Sequence, residues 1–283
     1  MKDYMILGID GGGNEVKIIG PIGYLKFLSA IGEYRERRLK DILGSCDIEF
    51  CYKGKKGFAG SLALESSSGG NIRGDSKANT DTLLRVLIGI HLYTDEKYLK
   101  IIVGQPITKH IESEKKIIRE MLEGEHTITV NRIEKTFTIL KCEVAAEGAS
   151  AFFNIMKPGQ IRMIDIGSGT VNLATMKDKK FSDLNSWTIY GGFSEGNEDI
   201  EATDPRDLAR KIAVNALTKW RKEDDVYIVG GAAEKVIPYL VEYFPNAQLI
   251  GPIVNVRGSL VELPPVFANA AGFYEVGKRV YGK

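Results

Sequence analysis

Residues 4–20, YMILGIDGGGNEVKIIG, decide how the rest of the chain is read. A strand-like apolar run, Tyr4 to Ile9, reaches Asp10 and then three consecutive glycines. After Asn14 and Glu15 a second strand resumes through Val16, Lys17, Ile18 and Ile19. The pattern is a β-hairpin whose turn is nearly bare backbone, with a carboxylate at its entrance and an ammonium at its exit. Glycines reach dihedrals closed to other residues, and their N–H groups can converge on an anion. One such loop is ordinary turn material. The layout recurs, however, as Met163-Ile-Asp165-Ile-Gly-Ser-Gly169-Thr-Val-Asn-Leu173, with its Asp about 155 residues after the first. Two such hairpins imply two similarly built domains facing each other across a phosphate.

Composition narrows the field. A chain of 283 residues is long enough for a sizeable core and ordinarily forms about two domains. With 38 basic against 37 acidic residues, bulk attraction to nucleic acid or to a membrane is not expected. Cys46, Cys51 and Cys142 lack metal-ligand spacing, and neither a signal peptide nor a membrane-length apolar run is read. A reduced, cytoplasmic setting follows as the expectation. Arg35, Arg37, Arg38 and Lys40 form a basic cluster, read as a solvated segment or as a contact surface for a partner or a second copy.

Between the two hairpins the pattern predicts strands at Ile48–Tyr52, Gly57–Gly60 and Leu99–Val103, separated by a polar, glycine-rich loop over residues 65–79. Asn79 or Thr80 is placed to cap a helix carrying Leu83, Leu84, Leu87 and Ile88, because either side chain accepts from first-turn N–H groups. His110–Leu122 reads as a second helix, Thr127–Val130 with Thr136–Cys142 as a hairpin, and Glu143–Met156 as a compact small-residue helix. Glu147 stands on it beside Gly148 with little steric cover, so its carboxylate is expected to face a cleft. Beyond the second hairpin come a strand region over Phe181–Tyr190 and a helix opened by Asp204-Pro205, carrying Leu208, Ile212, Leu217 and Trp220. A strand, Val226–Val229, delivers Gly230-Gly231 onto a helix over Ala232–Phe244. That Gly-Gly is either a bed for a flat ligand at a helix N-terminus or simply a tight turn. Leu249–Val256 reads as a strand region, and Pro264-Pro265 precedes the last helix. Strand hairpins followed by helices, twice over, predict an α/β architecture of mixed sheets covered by helices.

These groups fit one chemistry. A triphosphate between the hairpins would receive N–H groups from Gly11, Gly12, Gly13 and Asn14, and from Gly167, Ser168, Gly169 and Thr170. Lys17 would bring positive charge near the β and γ groups. Asp10 and Asp165, at matched strand ends, suit a magnesium ion held through waters, since Mg²⁺ prefers oxygen and dehydrates reluctantly. Glu147 would orient or polarise the attacking water, and phosphoryl transfer needs mainly such positioning and electrostatic cover. The P-loop class is excluded because GxxxxGK[ST] does not occur. A dinucleotide site is disfavoured because Gly11–Gly13 leads into a strand, not a helix.

The same residues resemble those of the actin-like ATPase superfamily, and within it the bacterial plasmid segregation actins of the ParM/StbA/Alp type. Gly8–Lys17 is similar to the family's first phosphate motif, and Ile164–Thr170 to its second. Glu143–Phe153 resembles the first connecting helix, with Glu147 at the hydrolytic position, and Phe267–Gly277 the second. Ile228–Ala232 resembles the adenosine motif, and Gly104-Gln105-Pro106 a turn that follows a domain I strand. The resemblance implies an actin-like (ribonuclease H-like) two-domain fold around a nucleotide cleft. Domain I would span residues 1–142 with the helix of 263–283 returning to it, and domain II residues 143–262. Only about 58 residues separate Thr170 from Ile228, so the small outer subdomain (IIB) is expected to be reduced or absent, as in the short AlfA-like branch. Base recognition would then rest on Gly230, Gly231 and Ala232 and on the helix around Lys211 and Asn215, with ATP and GTP both open.

The implied activity is ATP or GTP hydrolysis coupled to filament assembly for plasmid DNA segregation. The implied partners are further copies of the chain and a DNA-binding adaptor on a centromere-like site, without direct DNA contact or membrane. Two rivals stand beside this reading: a small-molecule kinase or activator ATPase of the same superfamily, and a non-enzymatic actin-like scaffold.

Overall fold

The computed structural model describes residues 4–38, 44, 46–65, 76–196 and 201–282. Lys40 of the basic cluster and residues 66–75 of the expected loop lie outside these. The opening hairpin forms as read: β1 (Met5–Gly11) pairs antiparallel with β2 (Glu15–Gly20), placing Asp10 opposite Lys17. A tight turn at Pro21-Ile22 continues it into β3 (Gly23–Leu28). Then follow β4 (Ile31–Glu33), β5 (Asp47–Tyr52), β6 (Lys55–Gly60) and the short helix α1 (Ser61–Leu64). Next come α2 (Thr80–Tyr93), β7 (Tyr98–Gln105), α3 (Glu112–Leu122), β8 (Gly124–Val130) and β9 (Ile133–Ala146). These nine strands make one mixed sheet in the order β3-β2-β1-β7-β9-β8-β5-β6-β4. Asn79 caps α2 as expected, its side chain accepting from Thr82 N–H.

The expected helix over Glu143–Met156 is not there. Glu143 to Ala146 end β9, pairing in parallel register with Ile102 to Gln105 of β7, and only Ser150–Asn154 curl, as a 3-10 turn. The alanines favour a helix locally, but a sheet-centre place beside β7 satisfies the backbone and buries Val144 and Ala146. Gly148 then turns the chain with φ +74°, a conformation that suits a residue without Cβ. Glu147 is therefore presented by a strand end.

The second half builds a six-stranded mixed sheet from β10 (Gln160–Ile166), β11 (Thr170–Lys177), β12 (Lys180–Phe181), β13 (Trp187–Tyr190), β14 (Asp225–Val229) and β15 (Gln248–Leu249). Its path is β12-β11-β10-β14-β15, with β13 also on β11. Helices α4 (Pro205–Ala216) and α5 (Ala233–Leu240) cover one face, burying Leu208, Ile212, Val236 and Leu240 against Ile164, Ile166 and Ile228. Both helices are shorter than expected. Trp220 is buried beyond the end of α4, and Pro238 sits within α5. The strand region at 249–256 splits, and β16 (Ile253–Val256) pairs with β17 (Ser259–Glu262) as a separate hairpin.

The last helix, α6 (Ala268–Tyr281), returns to the first sheet. Leu7, Ile9, Val16 and Ile18 pack toward the core that holds Leu84, Leu87 and Ile88 of α2, while Ile6 and Ile102 meet Phe273 and Tyr281 of α6. Gly8 makes that second contact possible. A Cβ there would stand 2.3 Å from both Ala270 O and Tyr274 N, so the helix backbone rests directly on β1. No helix among the described residues is long and apolar enough to cross a membrane.

Candidate active site

The tips of the two glycine hairpins face each other. A Cβ built on Gly13 would come within 2.9 Å of Ser168 Oγ. Between them opens a cavity of about 910 Å³, with Asp10, Gly12, Gly13, Asn14 and Lys17 on one side and Gly167, Ser168, Gly169 and Thr170 on the other. Asp165, Glu147, Gly230, Gly231 and Ala232 also line it. The volume is within the range of small-molecule and cofactor sites.

Two expected groups stand apart from it. Gly11 does not itself line the cavity, and its carbonyl accepts at 2.9 Å from Lys77 Nζ, which does. Lys211 and Asn215 do not line the cavity. The Lys211 ammonium donates to Tyr190 O at 2.8 Å and Gly191 O at 3.3 Å, bracing the loop that forms one wall, and Asn215 donates to Lys211 O. The N–H of Gly167 closes its own loop onto Thr170 O at 2.9 Å, leaving Ser168, Gly169 and Thr170 as the outward part of the second hairpin.

Three carboxylates meet at the floor. Asp10 Oδ2 lies 3.2 Å from Lys17 Nζ, its cross-strand partner, and Lys17 also donates to Glu15 O at 3.1 Å. Asp165 Oδ2 accepts from two amides, Asn172 Nδ2 at 3.2 Å and Asn269 Nδ2 at 3.0 Å. Glu147 Oε2 accepts from the same Asn172 Nδ2 at 3.3 Å, while its Oε1 lies 3.6 Å from Lys77 Nζ. Burial, with the Glu147 charge next to it, pushes the Asp165 carboxyl up to about 7 against the pull of its amide donors. Burial also raises Glu147, opposed first by the Lys77 charge.

Sequence reading missed the polar groups that hold this trio. Asn172 Oδ1 accepts from Ile107 N–H at 3.2 Å and from Thr188 Oγ1 at 2.8 Å, which fixes its amide so that Nδ2 must face the carboxylates. Asn269 on α6 accepts from Gly148 N–H at 2.9 Å and offers its Nδ2 to Asp165. Thr108 and Thr188 exchange reciprocal bonds of 3.1 Å, each hydroxyl accepting from the other's N–H, and tie the turn after β7 to β13. Asn172, seven residues past Asp165, is cross-strand from it, so the hairpin register was the one available signal.

Among the described residues no group of three metal-ligating side chains forms a cage. Asp165 Oδ2 is occupied by amides, and Asp10 is paired with Lys17. The donor set therefore suits a magnesium ion carried on phosphates and waters, touching the carboxylates at its outer shell, and does not suit one stripped into a protein cage.

The fold has solved counterparts. An AlfA filament bound to AMPPNP superposes with a TM-score of 0.72 at 21% identity, covering 100% of this chain and 97% of that one. A pCBH ParM non-polymerisable quadruple mutant gives 0.76 at 19%, covering 98% and 99%. Ta0583, an archaeal actin homolog in complex with ADP, gives 0.75 at 18%, covering 98% and 100%. At these identities the likeness establishes the actin-like fold. No curated protein matches. The family model described as the N-terminal domain of actin-like proteins matches residues 8–149, which runs from the first glycine hairpin through Glu147. That match spans half of the chain and includes the first hairpin and the strand end that presents Glu147; the chain belongs to the actin-like proteins.

Proposed function

We propose that this chain is a nucleotide-dependent polymerising ATPase or GTPase whose filaments move or separate plasmid DNA, through a DNA-binding adaptor. The observation that carries the hydrolytic part is the opposition of two glycine hairpins over Asp10, Glu147 and Asp165. The filament part is supported by the fold shared with an AlfA filament bound to AMPPNP. In this reading residues 1–142 with 263–283 form one lobe and residues 143–262 the other, without a substantial subdomain IIB, in the manner of the AlfA-like branch. The protein works in the cytoplasm.

Gly12, Gly13 and Asn14 would cradle the phosphates from one lobe, and Ser168, Gly169 and Thr170 from the other. Gly230–Ala232 would receive the nucleoside, adenine or guanine. Magnesium, when bound, would neutralise phosphate charge, and Asp10 and Asp165 would hold its waters. Glu147 takes a proton from water as the water oxygen bonds to the terminal phosphorus. The bond from that phosphorus to the bridging oxygen breaks, and its electron pair leaves with the diphosphate. Asn172 keeps Glu147 aimed while this happens. Loss of the terminal phosphate removes a group that both lobes grip, so the closed, filament-competent state loses its differential stabilisation.

The test is pelleting and negative-stain imaging with magnesium and ATP, GTP, AMPPNP or GMPPNP, alongside phosphate release. Glu147→Gln is expected to cut phosphate release by about 10²- to 10⁴-fold while filaments still form. Soluble monomers under every condition would refute the filament reading. Full hydrolysis by the variant would remove Glu147 from the chemistry.

A further inference from the structure

We infer that Lys77 is the cation that binds the terminal phosphate and lets this cleft tell a nucleoside triphosphate from a diphosphate. The inference rests on the hydrolase reading above and adds a residue that the glycine hairpins do not contain.

Lys17, which sequence reading placed at the β and γ groups, also lines the cavity but lies deeper, under its own loop, with its side chain 8% exposed against 18% for Lys77. Its ammonium is engaged by Asp10 and by Glu15 O, and a Cβ on Gly12 would stand 2.9 Å from it. Lys77 is placed differently. Its Nζ donates to Gly11 O at 2.9 Å and stands 3.6 Å from Glu147 Oε1, between the first hairpin and the carboxylate that would activate water. An ammonium has three N–H donors. One is given to Gly11 O, the ion pair with Glu147 Oε1 is longer than a hydrogen bond, and the residue lines the cavity, so a donor is available to a phosphate oxygen without the Gly11 contact being given up. A group beside Glu147 meets the phosphate at which water attacks, which is the last one.

The chain also holds this lysine in place with a dedicated support. Gln105 is fully buried at the end of β7, and its Oε1 accepts from Lys77 N–H at 2.8 Å. Its Nε2 donates to Ser76 Oγ at 2.9 Å, and Ser76 Oγ in turn bonds Glu114 of α3. On the other flank Asn79, the cap of α2, donates to Ser76 O at 2.8 Å. A buried glutamine with both ends committed to residues 76 and 77 fixes the point from which the lysine reaches in. A charge-assisted bond to phosphate from so constrained a base is strong and geometrically selective. A plain structural latch between Gly11 and α2 would instead affect every nucleotide alike.

The experiment uses the intact chain and calorimetric titration with AMPPNP, GMPPNP, ADP and GDP. Lys77→Met is expected to weaken the triphosphate analogue by about 10- to 100-fold and leave the matching diphosphate within about twofold. Lys77→Arg should restore part of the difference. Retained diphosphate binding also shows that the variant is folded. Equal weakening of both classes, or of neither, overturns the assignment while leaving the hydrolase reading intact. Wild-type protein that binds none of the four overturns both. Should Lys77→Met not fold, reductive dimethylation of wild type read by mass spectrometry decides. Protection of Lys77 by the analogue and not by the diphosphate supports the inference, and equal labelling overturns it.

Discussion

Asp165→Asn should make the nucleotide-free protein more stable at neutral and alkaline pH. The carboxyl is carried on folding from its ordinary 3.8 to about 7, chiefly by burial and then by Glu147. Between those values the native state keeps a proton that the unfolded chain has released, so stability falls as pH rises from about 4 through about 7. The full cost above pH 7 is about 4 kcal/mol, an upper figure because the group lines an open cavity. Asparagine keeps an oxygen for the amides of Asn172 and Asn269 and carries no charge to bury. The assay is urea unfolding in chelator-containing buffer across pH 4 to 8. Wild type should lose stability over that range, and the variant should lose distinctly less and exceed wild type at pH 8. Glu147, raised in the same sense, leaves a residual slope in the variant. Identical pH profiles, or a variant less stable at pH 8, would refute the view of Asp165 as a strained carboxyl.

Three further outcomes are expected. Gly8→Ala should force α6 away from β1, because the added carbon meets backbone at 2.3 Å; a loss of about 1–3 kcal/mol or more is read from thermal or urea unfolding. Asn172→Ala should cost about 1–3 kcal/mol by orphaning Ile107 N–H, and should slow phosphate release by misaiming Glu147, measured together on one preparation. Asp204→Ala should lower stability by about 1 kcal/mol through loss of the α4 cap on Arg206 N–H, with nucleotide binding unchanged in titration.

The two glycine hairpins were legible in the sequence because their signal is local. A strand ending in Asp, a run of glycines and a resumed strand are all contiguous, and the structure brings the two loops together. Caps at Asn79 and Asp204 were legible for the same reason. The segment around Glu147 misled because its alanines prefer a helix, while its true place is set by pairing with β7, some forty residues earlier in the chain. Lys77 and Asn269 gave no sign, Gln105 entered only as part of a turn motif, and Asn172 was signalled only by its cross-strand register with Asp165. Each is an ordinary polar residue locally, and its meaning comes from partners such as Gly11, Ile107 and Gly148, supplied by folding alone. Lys211 shows the converse: a residue on a well-read helix whose side chain serves the wall of the site from outside.

The seat of α6 on β1 has a consequence for biosynthesis. Ribosomes deliver every strand of both sheets before that helix exists, and Tyr4 on the incoming end waits for Tyr281 O to receive its hydroxyl at 2.6 Å. Between completion of β7 and arrival of Ala268 lie about 160 residues, roughly ten to thirty seconds of translation. Throughout that interval the helix that covers Ile6, Ile102 and the bare backbone at Gly8 in the finished fold has not been made. A nascent chain is thus barred from its finished shape, and from any activity that depends on it, until α6 has been made.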